Sequence, residues 1–198
     1  MYIPKLFQMA EDEYAGFIQS FPLALLADAN GNAMTHCPLM YLPDSHQLIG
    51  HLAKGNAILS ALESDPDITV MFTRHQGYIS ASWYSNDQEV PTWNYSSLEV
   101  SGKVTLVNDD QALEILTLLT DQFETSVGGN WTIKKLTDNK RQAMLKGIQA
   151  FYIDINHWQG KAKLSQNKTQ DVKEELLQHI KQQATSNYKE LAGDMSHD

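Results

Sequence analysis

Apolar positions along the first hundred residues come in short runs broken by turn residues, and past residue 108 they fall into helical spacing. In "EDEYAGFIQS" (residues 11–20) and the phenylalanine after it, Tyr14, Phe17, Ile18 and Phe21 recur three or four positions apart, which predicts a short amphipathic helix. "LALLADANGNAMTHCPLMYL" reads as a hairpin. Its two apolar-rich runs flank Asn30–Gly31, a pair that favours the left-handed dihedrals of a tight primed turn. Pro43 to Gln47 predicts the next turn and "LIGHLA" the strand after it. A helix opening at Gly55 or Asn56 would bury Ile58, Leu59 and Leu62. "DITVMFTRH", Asp67 to His75, alternates as a strand. Gly77 is then expected to turn the chain so that "YISASWY", Tyr78 to Tyr84, runs back beside it.

Thr92 to Val107 is rich in β-branched and aromatic residues and reads as one long strand, with Gly102 marking a bulge or bend. Asn108–Asp109 supplies an N-cap for a helix in which Leu113, Leu116, Leu119 and Phe123 share a face. A second helix is expected around Asp138 to Lys146, then a final strand, "IQAFYIDINHW", and a polar loop, "QGKAKLSQNKT". One long helix, "QDVKEELLQHIKQQATSNYKELA", closes the chain, and the residues from Gly193 to Asp198 are expected to fray. Six or seven strands joined by short turns, with four or five helices, predict a mainly β, α+β chain. Its antiparallel sheet would close into a small barrel with helices packed outside. Alternating βαβ units and glycine-rich phosphate loops are absent from the sequence, which argues against a dinucleotide-binding Rossmann fold.

Composition narrows the class. Of 198 residues, 42% are hydrophobic and 20% charged, enough for one domain with a real core. The longest apolar stretch, "FPLALLADA", is strand-sized, well short of the roughly 18 residues of a membrane span. The opening "MYIPKLFQMAEDEY" lacks a charged region followed by an apolar one, so no signal peptide is expected. The lone Cys37 excludes an internal disulfide and suits a reducing cytoplasm. A net charge of −9, with 15 scattered basic residues, disfavours direct nucleic-acid binding.

Candidate chemistry is concentrated in "YISASWY" and "VPTWNY", where rings and hydrogen-bonding side chains crowd together as a flat, partly polar ligand would require. These two stretches, with "MYIPKLF", "GHLAKGN" and "KLSQN", occur in an order that closely resembles the PaiB-like family of FMN-binding split-barrel proteins, often described as negative transcriptional regulators. The resemblance runs from Met1 to about Asn167. It implies an FMN-binding split-barrel domain over 1–167, with 168–198 as a C-terminal helix and tail packed on the same domain. It also implies a homodimer with one FMN per subunit at or near the interface.

The cofactor-binding residues that the resemblance implies are Lys54, Asn56, Ser80, Ser82, Trp83, Thr92, Trp93, Asn94, Lys163, Ser165 and Gln166, with Asn167 beside them. In that reading Lys54 and Asn56 face the phosphate at a helix start. Ser80 and Ser82, two apart on a strand, face one side. Thr92, Trp93 and Asn94 meet the ring edge. Two positions depart from the family pattern: Ala81 replaces a proline, and Lys54 replaces an arginine, which keeps the charge and loses a bidentate fork.

Each of these residues also has an ordinary structural reading: core or interface for the rings, solvated strand for the serines, solvated helix start for Lys54. The histidines show no zinc spacing, so no metal site is expected. His51, inside "GHLAK", is the candidate axial ligand of an alternative, haem-binding reading. A further alternative is a redox-inactive, transcription-related sensor module that acts without reading DNA directly, since no helix-turn-helix pattern is present. Hydrolytic chemistry lacks its motifs.

Overall fold

The computed structural model describes residues 1–86, 88–183 and 185–196. Two 3-10 turns, Lys5–Phe7 and Glu11–Glu13, lead into α1 (Tyr14–Ser20). Strands β1 (Leu23–Asp28), β2 (Met34–Pro38), β3 (Met40–Leu42) and β4 (Gln47–Ala53) follow, then α2 (Ala57–Ser64), β5 (Asp67–Ile79) and β6 (Thr92–Leu106). The chain continues through α3 (Asp109–Ser126), α4 (Asp138–Gly147), β7 (Ile148–Lys163), α5 (Gln170–Gln182) and α6 (Ser186–Ser196). The strands form one antiparallel sheet in the order β2-β1-β5-β6-β7-β4-β3, the split-barrel fold. No helix of the described residues is long and apolar enough to cross a membrane.

The chain divides into two compact units, neither of them contiguous: Met1–Tyr14, Thr73–Leu98 and the chain from Gln159 onward; and Ala15–Phe72 with Glu99–Trp158. In the second unit, β4 pairs with β7 so that Leu48 lies opposite Ile153 and Gly50 opposite Phe151, while Ile49 and His51 oppose Tyr152 and Ala150 on the other face. Ile49 and Ala150 pack under Ala112, Ile115, Leu116 and Leu119 of α3, with Ile133 and Leu145 completing an apolar cluster. Gly50 is glycine because a Cβ there would lie 2.5 Å from Leu39 Cδ2 and 3.0 Å from Phe151 Cζ. The Cys37 thiol donates to the His51 carbonyl at 3.2 Å, so β2, at one end of the strand order, curls against β4 near the other. In the first unit, Ile79, Tyr84 and Leu164 bury against Leu176 and Ile180 of α5 and Leu191, Ala192 and Met195 of α6.

Several expectations hold in detail. Asn56 caps α2, its Oδ1 accepting from Ile58 N at 3.2 Å, and Ile58, Leu59 and Leu62 are the buried face. Asn108 caps α3 by accepting from Gln111 N at 3.0 Å.

Others are corrected. The β1–β2 connection spans residues 29–33 rather than a two-residue turn, because the Asp28 carboxylate takes over the turn. It accepts from Ala33 N at 2.6 Å, and Gly31 (φ 68) donates to the Asp28 carbonyl at 2.9 Å. Gly77 does not turn the chain, since β5 runs straight through it. Its missing side chain makes room for α6, as a Cβ would stand 2.7 Å from both Leu191 Cδ2 and Tyr188 Cε1. Gly102 marks a close strand approach: a Cβ would meet the Asp154 carbonyl oxygen at 2.3 Å.

Ser80 to Tyr84 is not a strand either. Ala81–Trp83 is a 3-10 turn that Ser80 caps through its hydroxyl. "QGKAK" is not loop but the last third of β7. The single C-terminal helix is two helices, broken at Gln183, whose backbone is extended. Leu176 and Leu191 would stand about 22 Å apart on one straight helix, and the break lets both reach the same core. The tail is helical to Ser196, with Asp194 and Met195 buried, and the expected fraying of His197 and Asp198 lies outside the described residues.

Candidate functional site

The donor-rich recess of the molecule lies in the first unit, between the end of β7, the start of β6 and the turn leading to α5. Phe7, Tyr84, Val90, Thr92, Asn94, Lys163, Ser165, Asn167 and Lys168 line a cavity of about 140 Å³. Lys163, at the end of β7, reaches Thr92 and Trp93 of β6. Its ammonium donates to the Thr92 hydroxyl and, at 2.8 Å, to the Trp93 carbonyl. Burial holds its pKa below that of a free lysine. Neighbouring Lys161 adds to that effect and Tyr95 opposes it.

The turn after β7 is unusual at Ser165, which adopts φ 66, a region that a non-glycine residue occupies only when its surroundings hold it there. Two neighbours do so. The Gln166 amide braces the turn, accepting from Leu164 N at 2.8 Å and donating to the Ala162 carbonyl at 2.7 Å. Asn94, fully buried on β6, donates to the Ser165 hydroxyl at 2.9 Å and to the Met195 sulfur at 3.4 Å. The turn closes as Lys168 N donates to the Ser165 carbonyl at 2.9 Å. It delivers the Lys168 ammonium to the cavity, 5.3 Å from the Tyr84 ring centroid and paired with the Glu89 carboxylate. Burial pushes the Tyr84 phenol pKa up, with Lys168 opposing the rise and Glu89 adding to it.

The structure thus brings Thr92, Asn94, Lys163 and Ser165 together at one cavity and sets other candidates elsewhere. Ser80 and Ser82 bond each other at 2.7 Å across their 3-10 turn and are not among the lining residues. Trp83 stacks on His179, with ring centroids 6.0 Å apart, and meets Tyr188 edge-on, so it packs against the C-terminal helices. Trp93 points away from its neighbours Thr92 and Asn94 and is 54% exposed, with Tyr78 beside it at 6.0 Å. Lys54 and Asn56 belong to the second unit. Lys54 is exposed, and the Asn56 side chain is committed to capping α2 and to a 2.9 Å bond with Thr35.

A family model described as "Putative FMN-binding domain" matches residues 1–157. "Protease synthase and sporulation protein PAI 2" of Bacillus subtilis, PaiB, is 32% identical over 197 residues, covering 97% of this chain and 95% of its own length. The chain belongs to the FMN-binding family of PaiB.

Solved structures share its fold at low identity. The "FAD and Heme binding protein" of Mycobacterium smegmatis superposes with a TM-score of 0.61 at 20% identity, covering 85% of this chain and 78% of that one. The flavocytochrome Anf3 of Azotobacter vinelandii gives 0.59 at 14%, covering 81% and 72%.

FMN is the cofactor of this PaiB-family chain, and the donor set of the cavity fits one end of it. Two ammonium groups, two aliphatic hydroxyls, a phenol and two amides are what a phosphate and a polar chain need. The recess cannot take the whole molecule, since sites that enclose an entire ligand measure roughly 300 to 1,000 Å³. Phe7, Tyr84, Val90 and Lys168 were not anticipated from the sequence. Lys168 directly follows "KLSQN", and Phe7 closes "MYIPKLF". The signal was adjacency to motifs already singled out.

Proposed function

We propose that this chain is a cytoplasmic, homodimeric flavoprotein of the redox class, holding the phosphate end of FMN in the Lys163–Lys168 cavity. The observation that carries this reading is the pairing of two lysines with hydroxyl and amide donors inside a chain of net charge −9. Such a chain repels anions at large and attracts one only where cations are concentrated. FMN supplies the electron chemistry when bound. The protein's part is to bind and orient. Lys163 provides a charge whose bonds go to neutral oxygens, Thr92 and Ser165 offer hydroxyls, and Asn94 fixes Ser165 in its left-handed conformation.

A cavity too small for the whole ligand leaves the ring system outside it and open to a reaction partner. That favours the redox reading over a sealed sensor. Exposed Tyr78 and Trp93 offer aromatic surface for a second copy to cover. The buried, unpaired Cys37 thiol fits a reducing compartment. In this reading any effect on transcription is indirect, because an acidic chain is a poor partner for DNA.

The test is an absorbance titration of the purified protein with FMN, followed by addition of NADH or NADPH without oxygen. Saturable binding and bleaching of the flavin band support the proposal. Binding with no reduction by either donor would move the function to the regulatory module, and no binding would defeat the cofactor assignment to this cavity.

A further inference from the structure

The two lysines of the cavity are in different electrostatic states. The ammonium of Lys163 bonds neutral oxygens, whereas that of Lys168 is paired with the carboxylate of Glu89, both partners being largely buried. Glu89 immediately precedes Val90, which forms part of the cavity wall. Tyr84, which also lines the cavity, is followed by Ser85, whose N–H donates to the Glu175 carboxylate of α5 at 3.2 Å and whose hydroxyl bonds the same carboxylate. A phosphate dianion entering beside Lys168 meets a carboxylate already in place. Two anions cannot share one partly desolvated ammonium without strong mutual repulsion.

We propose that Glu89 is a resident counter-anion of this cavity, a carboxylate that holds Lys168 until an anionic ligand end displaces it, so that anion binding releases the segment carrying Glu89 and Val90. The inference rests on the reading that the cavity takes the phosphate end of FMN. Exchange of the carboxylate for a phosphate keeps Lys168 paired with an anion, so the carboxylate need only swing into solvent as the phosphate arrives. Glu89 therefore weakens anion binding and leaves binding of an uncharged ligand untouched. It keeps an empty cavity from holding two uncompensated lysines, and it makes the phosphate exchangeable. Release of Glu89 also loosens Val90, so the cavity wall opens when the anion exchanges.

The experiment is a fluorescence titration of full-length wild type, Glu89→Gln, Lys168→Met and the double variant with FMN and with riboflavin, which lacks the phosphate. Glu89→Gln should tighten FMN by about fivefold and leave riboflavin unchanged, and the gain should vanish in the Lys168→Met background. Amide exchange at Gln88 to Val90 should quicken when FMN is added to wild type. If Glu89→Gln binds FMN no more tightly while Lys168→Met loses FMN selectively, the cavity reading stands and the counter-anion is overturned. A gain that persists without Lys168 overturns it too. If FMN and riboflavin bind alike in wild type and Lys168→Met changes neither, the phosphate is not in this cavity, and both proposals fall.

Discussion

The two units bury different kinds of surface. The second is built on a dry core: α3 lies over Ile49 and Ala150, and the opposite face of the β4–β7 pair buries Leu48, Phe151 and Ile153 completely. Among its described residues Asp28 is the polar side chain buried as a whole, consumed by its own turn, while half-buried His51 buries its Nδ1. The first unit buries Asn94, Ser96, Ser97, Ser165 and Asp194. Burying a polar group is unfavourable unless it finds partners, so a region that does so repeatedly is shaped by something besides stability. Asn94 and Ser165 show what that is. They bond each other and stand at the cavity where two lysines meet. One unit buries mainly apolar side chains, and the other also holds bonded polar groups in fixed positions.

The largest expected effect tests the dry side. Phe151→Ala deletes a fully buried ring whose tip would stand 3.0 Å from a Cβ at Gly50. It should lower unfolding free energy by about 4 kcal/mol, measured by chemical denaturation. A loss below about 1 kcal/mol would mean that this core is loosely packed and the contrast between the units false. Next in size is Lys163→Ala on the wet side. It should cost FMN about 2 kcal/mol of binding, with riboflavin affinity and thermal stability nearly unchanged. A protein that loses stability as much as Phe151→Ala and keeps its FMN affinity would make Lys163 a structural residue and erase the distinction.

The contrast also governs what the sequence reveals. The dry side was legible because period and burial coincide: Ile58, Leu59 and Leu62 on α2, Leu116 and Leu119 on α3, and the N-caps at Asn56 and Asn108 follow from spacing and local chemistry, though α3 also buries Ala112 and Ile115 where Leu113 and Phe123 were expected. The wet side was read only in part. Thr92, Asn94, Lys163 and Ser165, named through motif resemblance, do line one cavity, whereas Ser80 and Ser82 sit in a 3-10 turn and Trp83 packs on the C-terminal helices. Periodicity cannot separate these cases, because a serine that caps a turn and one that lines a cavity are the same letter. Gly77 misled for a related reason. A glycine that makes room for a distant helix looks in sequence like one that bends the chain, and only the approach of Tyr188 and Leu191 tells them apart.

That glycine supplies a smaller test. Gly77→Ala would press its methyl on the ends of Leu191 and Tyr188, flexible groups that can give way. The expected loss is about 1 kcal/mol, with greater protease sensitivity in α6. Unaltered cleavage of α6 would mean that the helix does not depend on this contact.

The smallest effect concerns a titratable group on the dry side. His51 lies on the face of β4 that carries Ile49, and its Nδ1 is buried without a hydrogen-bond partner. Burial lowers its pKa below the ordinary histidine value, because the charged imidazolium is disfavoured there. Between the folded pKa and the unfolded value of about 6.5, the unfolded chain binds more protons than the folded one, so stability rises with pH across that window. The contribution is complete above about 6.5 and is lost as pH falls through the folded value. His51→Gln should therefore flatten the dependence of Tm on pH between about 7.5 and 5.5, whatever it does to Tm at neutral pH. If wild type and variant lose stability in parallel over that range, the proton uptake belongs to other histidines, and the second unit tolerates a charge where its packing implies that it should not.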